Sequence, residues 1–227
     1  MSAVAPVPSE TEAQAERLAG EIEELGIVRH EGWGPRSEAR WRALLSQLAR
    51  HRTSRYVLLG RPPLIGGERL SRLIAEARAQ RAEATFVDGQ DGQSGQGHGP
   101  PGPEARRLAA DRGWTRLLEA VLGGGPRLPA TGGYLYYEQP GARISPHVDY
   151  PNFAINLLVL LEHESIAGEP RAALVLHPPD SSPVRVLLAA GEAVALEAHG
   201  LVHEREAIRE GERLTMLTLG YGGLAEP

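Results

Sequence analysis

YLYYEQPGARISPHVDYPNFAIN, residues 134–156, carries an imidazole and a carboxylate two positions apart, His147 and Asp149. Side chains at i and i+2 of a β-strand point to the same face. The spacing therefore predicts that both groups grip one ion from one side, with Val148 turned into the packing behind them. Together they make two ligands of a 2-His-1-carboxylate site, an arrangement that leaves coordination positions open on a metal such as Fe(II). With 8 His and 29 acidic residues in the chain, roughly one such pair is expected by chance. Its surroundings decide what the pair means.

Outward from it, strand-like runs follow one another at 133–138, 142–148, 153–162, 171–178, 183–189, 192–198, 201–207 and 213–221. Gly, Pro, Asp and Ser punctuate them. Eight short strands without intervening helices predict a double-stranded β-helix, a jelly-roll or cupin-like barrel. Upstream the texture is helical, over 11–25, 37–51, 67–82 and 104–122, with short strands at 27–28 and 56–59. Helices first and strands later make the chain α+β. The expectation is a single domain over 1–227, with a mainly helical support region over 1–125 and the jelly-roll core over 126–227. Trp33, Trp41 and Trp114 are expected to pack the helical layer onto the barrel. Residues 89–103, GQDGQSGQGHGPPGP, are low-complexity and predict a flexible loop, with a lid as one use for it. Residues 97–102 satisfy G-x-G-x-x-G, but no strand is predicted ahead of them and Pro100–Pro101 cannot open a helix, so no dinucleotide site is read there.

Composition narrows the chemistry. A net charge of −5 advertises no surface for nucleic acid. There is no Cys, which removes thiolate metal sites, disulfides and Cys nucleophiles. All 24 basic residues are Arg, so Schiff-base chemistry is excluded and any carboxylate clamp rests on Arg or hydroxyl groups. The N-terminus lacks the pattern of a signal peptide, and no run approaches the ~20 apolar residues of a membrane span. A cytoplasmic protein without membrane or nucleic-acid partners is expected; oligomeric state is not legible.

A third ligand should come from a late strand returning beside the first. His199 and His203 both qualify, and each has an Arg ten residues on, Arg209 and Arg213. Local texture favours His203, which follows Leu201–Val202 in a strand, whereas His199 abuts Gly200 at a turn. Arg213 opens an apolar strand; Arg209 precedes the turn at Gly211. Neither His163 nor His177 has a partner at ligand spacing, and both read as hydrogen-bonded packing residues.

Tyr137-x-x-Pro140-Gly141-x-x-Ile144-x-Pro146-His147-x-Asp149 resembles the signature of 2-oxoglutarate/Fe(II)-dependent dioxygenases, with the prolyl-hydroxylase-like branch nearest. His203 with Gly211-Glu212-Arg213-Leu214-Thr215 is similar to that family's distal H…G-x-R-x-S/T. The resemblance covers about the last 95 residues (roughly what a jelly-roll core needs). It implies that His147, Asp149 and His203 hold Fe(II), leaving sites for 2-oxoglutarate and O₂. It assigns Arg213, with Thr215 on the same strand face, to the distal carboxylate of 2-oxoglutarate, and Tyr137 to a hydrogen bond with that cosubstrate. Asn156 would contact 2-oxoglutarate or the outer shell of the metal. Arg143 shares strand parity with His147 and is read as a substrate contact. Within the tyrosine cluster either Tyr134 and Tyr136 or Leu135 and Tyr137 point inward; the first pair is read as a substrate contact. The implied activity is hydroxylation of an unactivated C–H bond in a small molecule such as an amino acid or secondary metabolite. The competing readings are a non-catalytic barrel and a cupin-like metal protein that uses no 2-oxoglutarate.

Overall fold

A computed structural model describes residues 55–88, 92–122, 131–150, 153–166, 168–178 and 181–222. Expected elements at 11–25, 27–28 and 37–51, with Trp33 and Trp41, lie outside them. The described chain runs β1 (Tyr56–Gly60), a 3-10 turn (Pro63–Ile65), α1 (Gly67–Gln80), a second 3-10 turn (Arg81–Glu83), β2 (Thr85–Val87), β3 (Gln93–Ser94) and β4 (Gln96–Gly99). Next come α2 (Pro103–Ala109), α3 (Arg112–Leu122), β5 (Thr131–Tyr137), β6 (Arg143–His147) and β7 (Ile155–Ser165). The chain closes with β8 (Leu174–His177), β9 (Val184–Val186), β10 (Ala193–Leu196), β11 (Val202–Arg205) and β12 (Glu212–Tyr221).

The strands form two antiparallel sheets, one ordered β1-β10-β7-β12-β5-β4-β2 and the other β3-β6-β11-β8-β9. All eight strands expected after residue 130 are present. The jelly roll follows from apolar runs too short to be helices and broken every few residues by turn formers. Between the sheets pack Leu158, Leu160, Leu214 and Met216 from the larger and Leu174, Leu176 and Val186 from the smaller. The opposite face of the larger sheet, through Leu157, Val159, Leu217 and Leu219, packs on Leu73, Leu108, Trp114 and Leu118 of the helices. Both faces of β7 and β12 are therefore covered, which explains the nearly unbroken apolar run INLLVLL at 155–161.

Two expectations change. The predicted helix at 104–122 is two, because Asp111 starts a new one: its carboxylate accepts the Gly113 N–H at 2.9 Å. The Gly/Gln stretch after residue 91 is not a flexible loop. A turn at Gly95 (φ 60°) separates β3, which pairs with β6, from β4, which pairs with β5. The segment thus ties the two sheets together at one end of the barrel.

Candidate metal centre

His147 and His203 are register partners on β6 and β11. Each ring is fixed by its own backbone: His147 Nδ1 lies 2.9 Å from the Ser145 carbonyl oxygen, and His203 Nδ1 lies 2.9 Å from that of Leu201. Contact of Nδ1 with a carbonyl makes it the protonated nitrogen and turns the Nε2 lone pair outward. Both Nε2 atoms converge on Asp149 Oδ1, at 3.4 Å from His147 and 3.7 Å from His203. Their ligand atoms all lie within 4.8 Å of one another. Metal–ligand bonds of about 2.1 Å at right angles put neighbouring donors about 3 Å apart, so small side-chain adjustments fit the three groups to one ion.

Asp149 reaches this point by a route the i, i+2 rule did not foresee. The strand ends at His147, and Val148 is 48% exposed rather than packed behind the ligands. Instead the Asp149 N–H donates to the Ala198 carbonyl at 2.9 Å. Asn156 Nδ2 donates to Asp149 Oδ2 at 2.7 Å, and Thr218 Oγ1 donates to Asn156 Oδ1 at 2.8 Å. With Oδ2 occupied, Oδ1 is the oxygen left to the imidazoles.

Electrostatics separates the two histidines. Burial lowers the His203 pKa, and the Asp149 carboxylate does not fully offset it. Burial also works against His147, but the Asp149 carboxylate and the Ser145 carbonyl outweigh it and raise that group.

The three groups sit in a cavity of about 510 Å³ that also receives Gln96, Tyr137, Asn156 and Arg205. Leu135, Ile144, Leu158, Leu174 and Met216 supply apolar wall. Arg205 is 5% exposed. Its guanidinium donates to the Ala172 carbonyl at 3.2 Å and contacts Met216 Sδ at 3.0 Å. Tyr137 accepts a hydrogen bond of 2.7 Å from Gln96 Nε2, and burial pushes its phenol up to about 12, so it is a neutral donor.

Five residues expected at the site lie elsewhere. Arg213 and Thr215 do share a strand face, but it is the outer one: they line a separate cleft of about 260 Å³ with Arg78, Arg81, Glu138 and Glu162. Tyr134 and Tyr136 are turned to the helices, donating to Glu76 Oε1 and to the Ala77 carbonyl, each at 2.6 Å. Arg143 is exposed and does not line the cavity. A β-bulge accounts for Arg143: His203 faces His147 while Arg205 faces Ile144, so two steps on β11 match three on β6 and parity breaks. His199 is tied to the Ala154 carbonyl at 3.2 Å and does not line the cavity. His163 and His177 are hydrogen-bonded to Glu212 and Glu204 at 2.8 and 3.0 Å.

Arg205 was missed by sequence reading. The available signal was its position two residues past His203 on the same strand face, between Glu204 and Glu206.

No family model matches the sequence. No curated protein matches it either. Solved structures do share its fold. A Pseudomonas putida prolyl-4-hydroxylase aligns with a TM-score of 0.61 at 16% identity, over 78% of this chain and 96% of that one. The non-heme α-ketoglutarate-dependent epimerase SnoN from nogalamycin biosynthesis aligns with a TM-score of 0.63 at 21% identity, over 79% and 82%. A Trichoplax adhaerens prolyl hydroxylase, in complex with a hypoxia inducible factor peptide fragment, aligns with a TM-score of 0.58 at 13% identity, over 85% and 93%. The chain thus has the double-stranded β-helix fold of these enzymes. Among the described residues no helix is long and apolar enough to cross a membrane.

Proposed function

We propose that the protein is an Fe(II)- and 2-oxoglutarate-dependent oxygenase acting on a small molecule. The observation that carries the reading is the convergence of His147, Asp149 and His203 within 4.8 Å inside a jelly-roll cavity. Two imidazoles and one carboxylate on one side of an ion leave its other side open. Further support comes from a structural neighbour: SnoN has been crystallised with Fe3+, α-ketoglutarate and nogalamycin RO. Bound Fe(II) with 2-oxoglutarate and O₂ supplies oxidation of an unactivated C–H bond, coupled to decarboxylation of the 2-oxoglutarate.

The residues of this chain do the positioning. Ser145 and Leu201 carbonyls hold both imidazoles in the tautomer that presents Nε2. Asn156 and Thr218 hold Asp149 with Oδ1 forward. A cavity of about 510 Å³ falls in the usual range for small-molecule sites, and Gln93 and His98, 2.9 Å apart, give its wall polar groups for recognition. Whether the outcome is hydroxylation or another C–H oxidation depends on substrate placement rather than on the ligands.

Anaerobic addition of Fe(II) and then 2-oxoglutarate tests the reading. A weak visible charge-transfer band that requires both, and that vanishes in His203→Ala, is expected, together with succinate formation in air. A protein that binds Fe(II) and gives no such band would refute the oxygenase.

A further inference from the structure

Resting on that reading, we infer that Arg205, with Tyr137 held in place by Gln96, is the anchor for the distal carboxylate of 2-oxoglutarate, and that Arg213 is not. Arg205 is 5% exposed. Among the described residues no carboxylate lies within ion-pairing distance of it: its hydrogen-bond partners are a carbonyl oxygen and a thioether sulfur. The Glu206 and Glu212 carboxylates, which act on it from farther away, are already engaged, the first by Arg185 and Ala173 and the second by His163, Arg171, Ala172 and Arg209. A buried cation without a directly paired counter-ion is expensive. A guanidinium has five donors in a planar fork suited to a carboxylate, so most of its capacity here is unspent. The missing anion is what the site would bind.

Position agrees with this assignment. Arg205 follows His203 by two residues on β11, so both side chains leave the same face, with backbones roughly 6.6 Å apart. That separation suits a five-carbon dicarboxylate that meets the metal at one end and the guanidinium at the other. Tyr137 enters the same cavity from β5 of the facing sheet. Because Gln96 Nε2 donates to its oxygen at 2.7 Å, the phenolic proton is left to point at another acceptor. Gln96 is a positioning residue, and its own Oε1 is buried without a partner, a second polar group in the cavity whose bonding is incomplete. Arg213, by contrast, is exposed on the far side of the larger sheet, across from the cavity.

Calorimetric titration with Mn(II), and then with 2-oxoglutarate or 2-oxobutyrate on the Mn(II)-loaded protein, separates the assignments. Mn(II) does not turn over, and 2-oxobutyrate keeps the chelating end while lacking the distal carboxylate. Arg205→Met is expected to weaken 2-oxoglutarate binding by about 100-fold, as for loss of one partner of a buried charge pair. Mn(II) affinity should be kept, which also verifies folding. The same variant should lose the preference for 2-oxoglutarate over 2-oxobutyrate, a change that a merely structural role would not produce. Tyr137→Phe, a milder change, should weaken 2-oxoglutarate by about 10-fold, and Arg213→Ala should alter neither ligand. Undiminished 2-oxoglutarate affinity in Arg205→Met, or a loss confined to Arg213→Ala, overturns the anchor. Wild-type protein that takes Mn(II) and no 2-oxoglutarate overturns the oxygenase reading itself.

Discussion

Asn156 is bonded to Asp149, one of the three candidate metal ligands, and its amide decides which oxygen of Asp149 faces His147 and His203. Groups in that position typically carry 10- to 100-fold in metal affinity, about what Asn156→Ala should cost in Mn(II) titrations. Unchanged affinity would mean that Asp149 is held by the Ala198 carbonyl alone. Glu212 makes a different kind of prediction. Burial would raise this carboxyl, but N–H groups of Ala172, Arg171 and Arg209, with His163, hold it down to about 2, against an ordinary 4.5. Below pH 4.5 the unfolded chain takes up this proton and the native one does not. Its stabilising contribution is therefore complete above 4.5 and fades as pH falls toward 2, by roughly 3 kcal/mol in all. Glu212→Gln should lower stability at pH 7 and flatten the acid slope in urea denaturation; a slope equal to wild type would remove Glu212 as its source. At this scale the sequence was readable wherever chemistry selects a residue type. His147 and Asp149 stood out by spacing, and His203 was preferred to His199 because it lay in a strand rather than at a turn. Glu212 was not readable, since its role depends on burial that its neighbours in sequence do not reveal, and Arg205 was legible only through its position two residues past His203.

Strands supplied most of what was legible and also the main failures, for one physical reason. Parity assigns a face only when one face is polar, and β12 is covered on both sides, by the barrel interior and by the helices. Arg213 and Thr215 were thus correctly paired with each other and assigned to the wrong face. On β6 the bulge opposite His203 and Arg205 defeated the same rule for Arg143. The Gly-rich stretch failed in the opposite direction: its glycines suggested a flexible coil where they serve close approach of strands. A Cβ on Gly97 would lie 2.7 Å from the Phe86 ring, and one on Gly133 of β5 would lie 2.2 Å from the Gly99 carbonyl oxygen on β4. Backbone, unlike a flexible side chain, cannot swing away. Gly133→Ala is therefore expected to pry β4 from β5 and to destabilise by about 1–3 kcal/mol, seen as a lower thermal midpoint. Because Gln96 sits on β4, 2-oxoglutarate affinity should fall as well; a variant with wild-type melting would show that the sheet accommodates the methyl.

Taken whole, the molecule places its candidate site where the sheets are already connected. His147 and His203 come from the smaller sheet. Asp149 is tied through Asn156 to β7 and through Thr218 to β12, both in the larger sheet. An ion held by all three groups therefore closes a connection from one sheet to the other. None of that geometry survives unfolding, where His147 and His203 are 56 residues apart in sequence (203 − 147). Binding to the native state alone stabilises by RT ln(1 + [L]/Kd), about 2.7 kcal/mol at a hundredfold excess over Kd. For a domain of this size each kcal/mol moves the thermal midpoint by roughly 2–4 °C. Mn(II) at that excess should accordingly raise the midpoint by roughly 5–10 °C, and a chelator should reverse the rise. His203→Ala removes one ligand and should abolish the shift, whereas His199→Ala, at a histidine bound to the Ala154 carbonyl outside the cavity, should retain it. A shift that survives His203→Ala and disappears in His199→Ala would move the metal to the turn beside Gly200 and leave the cavity between the sheets without its ion.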